Sequence, residues 1–142
     1  MERALALARE AADAGEVPVG AVVTRRGKLV AEARNETVAL DDPTAHAEML
    51  AIRRAGAALG SQRLTGCDLH VTLEPCAMCA AAISFARLER LYFGAEDEKG
   101  GAVVSGARFF TQPTCHHAPQ VYGGIGESEA GALLRAFFGR RR

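Results

Sequence analysis

The amino-acid sequence predicts an α/β protein in which helices cover both faces of a mixed sheet. Two observations lead to this prediction. Segments with apolar residues at helical spacing alternate with β-branched segments, and the order is helix, two-strand hairpin, helix, strand, helix, strand. A chain of 142 residues without an internal repeat or a linker-like stretch fits a single domain over residues 1–142.

The first half of the chain predicts a helix followed by a hairpin. Residues 3–14 place alanine and leucine at helical spacing, and residues 17–23 form a β-branched strand. The chain turns at Arg26-Gly27 and returns as a strand over residues 28–34. A glycine inside a strand costs stability, so Gly20 marks either a close approach of the backbone to a ligand or a bulge.

The second half of the chain predicts the remaining helices and strands. A helix over residues 45–58 follows an N-cap candidate within the segment from Asp41 to Thr44. The later elements are a strand at 68–73, a helix at 76–86, a strand at 88–95, a short strand at 120–122 and a closing helix at 127–138.

The composition excludes several classes of protein. Apolar residues make up 49% and charged residues 24% of the chain, which is typical neither of disordered nor of membrane proteins. No apolar run approaches the ~20 residues that a spanning helix needs, and the N-terminus lacks the layout of a secretory signal. We therefore expect a cytoplasmic protein with reduced thiols, in which metal binding is favoured over disulfides for the four cysteines.

The charge of the chain is balanced overall but uneven at its end. The net charge is zero, so no global basic field indicates a nucleic-acid partner. The last residues are Phe137-Phe138-Gly139-Arg140-Arg141-Arg142. This segment is either a solvated basic tail or a surface whose aromatic rings stack on bases while its arginines meet phosphates.

Two cysteines three positions apart carry the main chemical signal. Cys76 and Cys79 follow an apolar segment that ends at Glu74-Pro75, and on a helix this spacing places two Cβ atoms about 5–6 Å apart. The pair alone is compatible with a redox dithiol. It is also compatible with a structural zinc site completed by Cys115-His116-His117, or with a catalytic zinc site completed by His46.

The catalytic alternative uses the most residues. Three protein ligands leave the fourth position of zinc to water, and His46 can join the two cysteines if the N-termini of their helices converge. Glu48 lies two positions beyond the histidine, so it need not bind the same metal, and a carboxylate beside a zinc-bound water can act as a general acid and base. A lone histidine or glutamate in a helix is usually a packing or surface residue, but the combination with Pro-Cys-x-x-Cys favours a hydrolytic site.

The pattern H-x-E followed by P-C-x-x-C is the signature of zinc-dependent nucleobase deaminases. The segments around it narrow the resemblance to the bacterial tRNA-specific adenosine deaminases, and the similarity extends over residues 3–140. The segments that carry it are residues 17–22, Asn35, residues 42–48, residues 72–79, residues 93–99 and residues 133–138.

This resemblance implies a cytidine-deaminase-like fold, with three α/β/α layers around a mixed five-stranded sheet, and a homodimer with one Zn²⁺ per subunit. It implies conversion of adenosine to inosine at the wobble position of a tRNA anticodon, notably in an arginine tRNA. Hydroxide would attack C6 of adenine and ammonia would leave, with Glu48 moving the protons.

The resemblance also assigns roles to individual residues. It implies zinc ligation by His46, Cys76 and Cys79. The implied RNA-contacting residues are Asn35 and the backbone of Ala47 at the flipped nucleotide, Asp97 and Lys99 in a loop near it, and Phe137, Phe138 and the terminal arginines at the anticodon stem-loop.

Two other functions remain open from the sequence. A deaminase of free guanine, cytosine or a nucleoside would use the same zinc chemistry, and the zero net charge favours it. A zinc-stabilised binding module would have a saturated metal site and a dispensable Glu48.

Overall fold

A computed structural model describes residues 1–140. Within these residues, the four α-helices are α1 (Glu2–Asp13), α2 (Ala47–Leu59), α3 (Ala77–Phe85) and α4 (Glu127–Gly139). The five strands of the same part of the chain are β1 (Gly20–Arg25), β2 (Lys28–Arg34), β3 (Cys67–Leu73), β4 (Arg90–Ala95) and β5 (Gln120–Tyr122). A 3₁₀ turn lies at Phe109–Thr111. No helix of the described chain is both long and apolar enough to cross a membrane.

The strands form one mixed sheet in the order β2-β1-β3-β4-β5. Strand β1 is antiparallel to both β2 and β3, whereas β3, β4 and β5 are parallel to one another. The mixed sheet expected from the sequence is therefore confirmed. The parallel half matters for function, because the loops that leave the carboxyl ends of adjacent parallel strands meet at one edge of the sheet.

Helices cover both faces of this sheet, as the alternation along β1 shows. Successive side chains of a strand point to opposite faces. Ala21 and Val23 belong to the large core that also holds α2 and α3, whereas Val22 packs with Leu7 of α1 on the opposite face. Helix α4 packs beside α1 and against β4. The three-layer α/β/α arrangement follows from this division.

Most predicted elements lie where the sequence placed them, with differences at the ends. Strands β2 and β5 have the predicted bounds. Strand β1 begins at Gly20 and not at residue 17, because Val17-Pro18-Val19 is an extended lead-in closed by a hydrogen bond from the Val19 N–H to the Val17 carbonyl (2.8 Å). Helix α2 begins at Ala47, two residues later than predicted.

Gly20 allows two parts of the chain to pack closely, and it does not mark a bulge. A Cβ atom on this residue would lie 2.0 Å from the carbonyl oxygen of Ala4, so the glycine lets helix α1 approach the strand. The irregularity in this hairpin lies elsewhere, between Val23 and Thr24. The close approach that Gly20 permits is therefore between two parts of the chain.

Candidate metal and active site

Three side chains converge beside the carboxyl end of β3. Nδ1 of His46 lies 3.6 Å from Sγ of Cys76 and 3.5 Å from Sγ of Cys79. All three ligand atoms lie within 4.8 Å of one another. In the part of the chain that the structure describes, no other group of His, Cys, Asp and Glu side chains has this geometry. The residues that the sequence singled out for a metal site are brought together.

Helix termini position these side chains. His46 is the N-cap of α2 and Cys76 is the N-cap of α3, both with extended backbone conformations, and Cys79 is in the first turn of α3. The sequence placed His46 and Cys76 inside their helices, and this detail was wrong. The N-cap expected between Asp41 and Thr44 is absent, because Asp42 instead accepts two hydrogen bonds from Thr44. The expected convergence of the two N-termini is present.

The donor set and its spacing fit zinc. Zinc–sulfur and zinc–nitrogen bonds of about 2.3 and 2.0 Å in a tetrahedron require a nitrogen-to-sulfur separation of about 3.5 Å. The two measured separations from His46 are 3.6 and 3.5 Å. One imidazole and two thiols leave the fourth position of a tetrahedral ion open, as in catalytic zinc sites. One Zn²⁺ per chain is therefore the cofactor that this donor set fits.

The electrostatics of the pair favour a bound cation. A hydrogen bond from the Cys79 thiol lowers the pKa of Cys76 to about 4, against the effect of burial. The same hydrogen bond raises the pKa of Cys79, because Cys79 is the donor. Without a metal the two sulfurs thus carry about one negative charge at neutral pH. The partial positive charge at the N-terminus of α3 also stabilises this thiolate.

Glu48 is buried next to these ligands and faces the same site. It is the second residue of α2, and only 4% of its surface is exposed. Burial raises its pKa to about 7, because the charged form loses its hydration. A carboxyl group with such a pKa both accepts and releases a proton near neutral pH, as a general acid and base must.

Asn35 and Ala47 lie just after β2 and at the start of α2. Asn35 follows β2 and is buried, and its backbone N–H donates to the Val19 carbonyl (3.0 Å). Ala47 is the first residue of α2, so its backbone N–H has no acceptor within the helix. Both positions are compatible with the expected contacts to a base, which remain predictions.

An open groove of about 1120 Å³ runs between the loop after β4 and the end of α4. Asp97 and Lys99 line one wall of this groove and Phe138 lines the other. Phe137 is not among the lining residues; only 8% of its surface is exposed, and it lies between α4 and α1. Of the two phenylalanines that the sequence proposed for RNA contacts, Phe138 is therefore the accessible one, and 49% of its surface is exposed. Arg141 and Arg142 lie outside the described residues.

Residues 1–95 match the family model of the cytidine and deoxycytidylate deaminase zinc-binding region. The tRNA-specific adenosine deaminase of Agrobacterium fabrum is 61% identical over 142 residues, which cover 100% of this chain and 93% of the relative. The chain belongs to the family of tRNA-specific adenosine deaminases.

Solved structures agree with this membership. A chain solved in studies of A-to-I editing by tRNA:A34 deaminases superimposes with a TM-score of 0.93 at 61% identity, covering 94% of this chain and 97% of that one. A guanine deaminase from Bacillus subtilis gives a TM-score of 0.67 at 33% identity, covering 97% of this chain and 90% of that one. The family and the fold of zinc-dependent deaminases are thus established for this chain.

The segment Cys115-His116-His117 does not contribute to the metal site. The Cys115 thiol donates to the His117 carbonyl (3.2 Å), and Nε2 of His117 lies 2.7 Å from the Leu88 carbonyl. His116 is exposed. The Ser84 hydroxyl of α3 lies 3.6 Å from the Cys115 sulfur and donates to the His117 carbonyl (2.6 Å), so the segment before β5 is fastened to the end of α3, which explains a half-buried cysteine without a metal.

Two buried glutamates, Glu16 and Glu74, have structural roles that the sequence did not predict. Glu16 accepts hydrogen bonds from the backbone N–H groups of Val38 and Ala39, and Glu74 accepts five hydrogen bonds from the segment between Asp97 and Ser105. Burial acts to raise the pKa of Glu74, but the hydrogen bonds from Asp97, Ser105 and Val103 outweigh it, so the pKa lies below its usual value. The one signal in the sequence was the position of Glu74 at the end of an apolar strand, where a charged residue needs partners.

Proposed function

We propose that this protein converts adenosine to inosine at the wobble position of a tRNA anticodon, with an arginine tRNA as the first candidate. The observation that carries the proposal is the buried Glu48 beside three ligand atoms that fit zinc. When bound, zinc acts as a Lewis acid that activates a water molecule for nucleophilic attack near neutral pH. In this proposal His46, Cys76 and Cys79 hold the ion.

Glu48 moves the protons of the reaction. It accepts a proton from the attacking water and donates it to N1 of adenine. It then transfers the remaining proton of the attacking oxygen to the exocyclic nitrogen as that group leaves. A bond from C6 to oxygen forms and the bond from C6 to the amino nitrogen breaks, so adenosine and water give inosine and ammonia. The raised pKa of Glu48, about 7, supports both transfers.

The groove supports an extended substrate. Its volume of about 1120 Å³ exceeds the 300–1,000 Å³ that is typical of small-molecule pockets. Lys99 and Arg135 supply positive charge for phosphates, and the exposed ring of Phe138 offers a stacking surface for a base. Asn35 and the N–H of Ala47 would contact the extruded adenosine, while Asp97 and Lys99 would contact its neighbours. An enzyme acting on tRNA meets its substrate in the cytoplasm.

We also propose that the protein forms a homodimer through α3. The outward stripe of this helix, Met78, Ala81, Ala82 and Phe85, has helical spacing and contains no polar side chain. Phe85 is 75% exposed in the single chain. A helix that is apolar on its outward face as well as on its buried face is expected to pack against a partner. A second copy of the chain would cover the outward face with the same surface.

A free-base deaminase is the alternative that the comparisons favour next, because a guanine deaminase shares the fold at 33% identity. The two functions differ in whether RNA is needed. The zinc-loaded protein should be incubated with an anticodon stem-loop carrying adenosine at the wobble position, and separately with guanine, cytosine and adenosine. We expect inosine from the stem-loop. Ammonia from guanine without inosine from the RNA would overturn the proposal.

A further inference from the structure

The carboxylate of Glu74 is a centre of hydrogen bonds between the zinc-site strand and the loop after β4. Its side chain is 2% exposed. Oε2 accepts from the consecutive N–H groups of Val103, Val104 and Ser105 at 3.0, 3.0 and 2.9 Å. Oε1 accepts from the Asp97 N–H at 2.9 Å and from the Ser105 hydroxyl at 3.0 Å. Both ends of the 97–105 loop are thus tied to one side chain.

The same loop also touches the metal site directly. Gly101 forms an isolated antiparallel bridge with Cys76, and the N–H of Ala102 donates to the Pro75 carbonyl at 2.9 Å. A Cβ atom at Gly101 would lie 2.4 Å from Cδ of Glu74, so the loop packs against the carboxylate without space for a side chain. Glu74 therefore lies where strand β3, the Cys76 ligand and the loop meet.

The hydrogen bond between Glu74 and Asp97 links this carboxylate to the groove. While the Asp97 N–H is bound to Glu74, its Oδ1 accepts from the N–H groups of Lys99 and Gly100 at 3.2 and 2.9 Å. Asp97 and Lys99 line the groove proposed for RNA. The conformation of this wall thus depends on a carboxylate that lies under it and does not line it.

We propose that Glu74 is a positioning residue that fixes the RNA-contacting loop, residues 97–105, in register with the zinc centre. This inference rests on the proposed function for the role of Asp97 and Lys99. Glu74 touches neither the metal nor the reacting base, and its effect on the reaction passes through the loop.

The requirement is for a carboxylate and not only for a polar side chain. Both oxygens accept, with two donors on Oε1 and three on Oε2. In Glu74→Gln, the amide group turns one acceptor into a donor that faces N–H groups. At least one set of donors then loses its partner, and buried N–H groups do not remain unpaired without cost. The loop should shift although the volume of the side chain is unchanged.

The decisive experiment combines hydrogen exchange with steady-state kinetics on the zinc-loaded full chain. In Glu74→Gln we expect faster amide exchange in residues 97–105, an unchanged zinc content, and a KM for the wobble-adenosine stem-loop raised about tenfold, because the contacts of the loop are weakened equally in the ground state and the transition state. The kcat should remain within about threefold, since Glu48 and the ligands stay in place.

Glu16→Gln is the matched control, because Glu16 is equally buried and holds a different loop through Val38 and Ala39. It should speed exchange in that loop and leave the KM for the stem-loop unchanged. Equal KM changes in both variants would show that Glu74 acts only through the overall stability of the fold, and this would overturn the inference. Loss of zinc from Glu74→Gln would also overturn it, because Glu74 would then act on the metal site.

A second variant covers the case in which Glu74→Gln does not fold. Gly101→Ala forces a methyl group between the Glu74 carboxylate and the Asp97 carbonyl oxygen, at 2.4 and 2.5 Å, so it should push the loop off its anchor and reproduce the exchange and KM changes with zinc retained. Unchanged exchange of residues 97–105 in Gly101→Ala would overturn the inference without reference to RNA. If the wild-type chain makes no inosine from the stem-loop, the proposed function fails, while the exchange results still decide whether Glu74 holds the loop.

Discussion

Sγ of Cys79 lies 3.5 Å from Nδ1 of His46, although 33 positions separate the two residues along the chain. His46 caps the helix that follows the β1–β2 hairpin, and Cys79 lies in the helix that follows β3. The distance equals the edge of a tetrahedron of zinc ligands. The fold therefore brings Cys79 and His46 to the separation that two ligands of one zinc ion require.

Replacing Cys79 should therefore remove zinc. In Cys79→Ser the weaker hydroxyl ligand leaves two strong ligands, and most chains should lose their metal on dialysis against a chelator. Metal content measured by mass spectrometry checks this, and Cys115→Ser is the control that should keep its zinc, since Cys115 lies outside the cluster. Tight retention of a full complement of zinc by Cys79→Ser would show that Cys79 is not a ligand.

Replacing Glu48 should separate chemistry from metal binding. Glu48→Ala should keep its zinc and lose about 10²- to 10⁴-fold in kcat on the stem-loop, the range for one positioned acid or base. The measurement is single-turnover inosine formation with zinc content determined on the same sample. Glu89→Gln, at an exposed residue remote from the groove lining, should act like the wild-type chain. Turnover at the wild-type rate in Glu48→Ala would remove Glu48 from the mechanism.

The sequence predicted the helices, the strands and the chemistry of the site better than the contacts between distant segments. Periodicity located every α-helix and strand of the described chain but not the 3₁₀ turn at Phe109–Thr111, and the spacing of Cys76 and Cys79 together with His46 predicted the cluster that the fold assembles. These signals are local, because the hydrophobic periodicity of a segment and the residue types of the ligands can be recognised within short stretches of the sequence. The deaminase family followed from the same motifs.

What the sequence could not give depends on contacts between distant segments. The role of Gly20 requires knowing that α1 crosses β1, and the role of Glu74 requires knowing where residues 97–105 return. Phe137 and Phe138 are adjacent and chemically identical, yet one packs against α1 and the other lines the groove. The orientation of α4 on the sheet decides this, and periodicity alone does not fix it.

Gly20→Ala should destabilise the fold although it adds only one methyl group. The new Cβ would lie 2.0 Å from the Ala4 carbonyl oxygen, so α1 must move away from β1. Overpacking of this kind costs about 1–3 kcal/mol of the free energy of unfolding. Urea denaturation of the zinc-loaded protein measures it. Gly139→Ala is the control, because no atom lies within 4 Å of its added Cβ; equal midpoints for the two variants would contradict the proposed contact.

Phe85 should be the most sensitive position of the proposed dimer interface. It is 75% exposed at the end of the apolar stripe of α3, and a large aromatic residue that becomes buried between subunits contributes about 2 kcal/mol or more to association. Phe85→Ser should therefore raise the dimer dissociation constant at least about 30-fold, because 1.4 kcal/mol corresponds to a factor of ten. Sedimentation velocity over a concentration series measures the change.

Leu29→Ser is the control: it removes an exposed apolar side chain from β2, away from α3, and should leave association unchanged. If Phe85→Ser dimerises as tightly as the wild-type chain while Leu29→Ser dissociates, the interface lies at the hairpin edge of the sheet and not on α3.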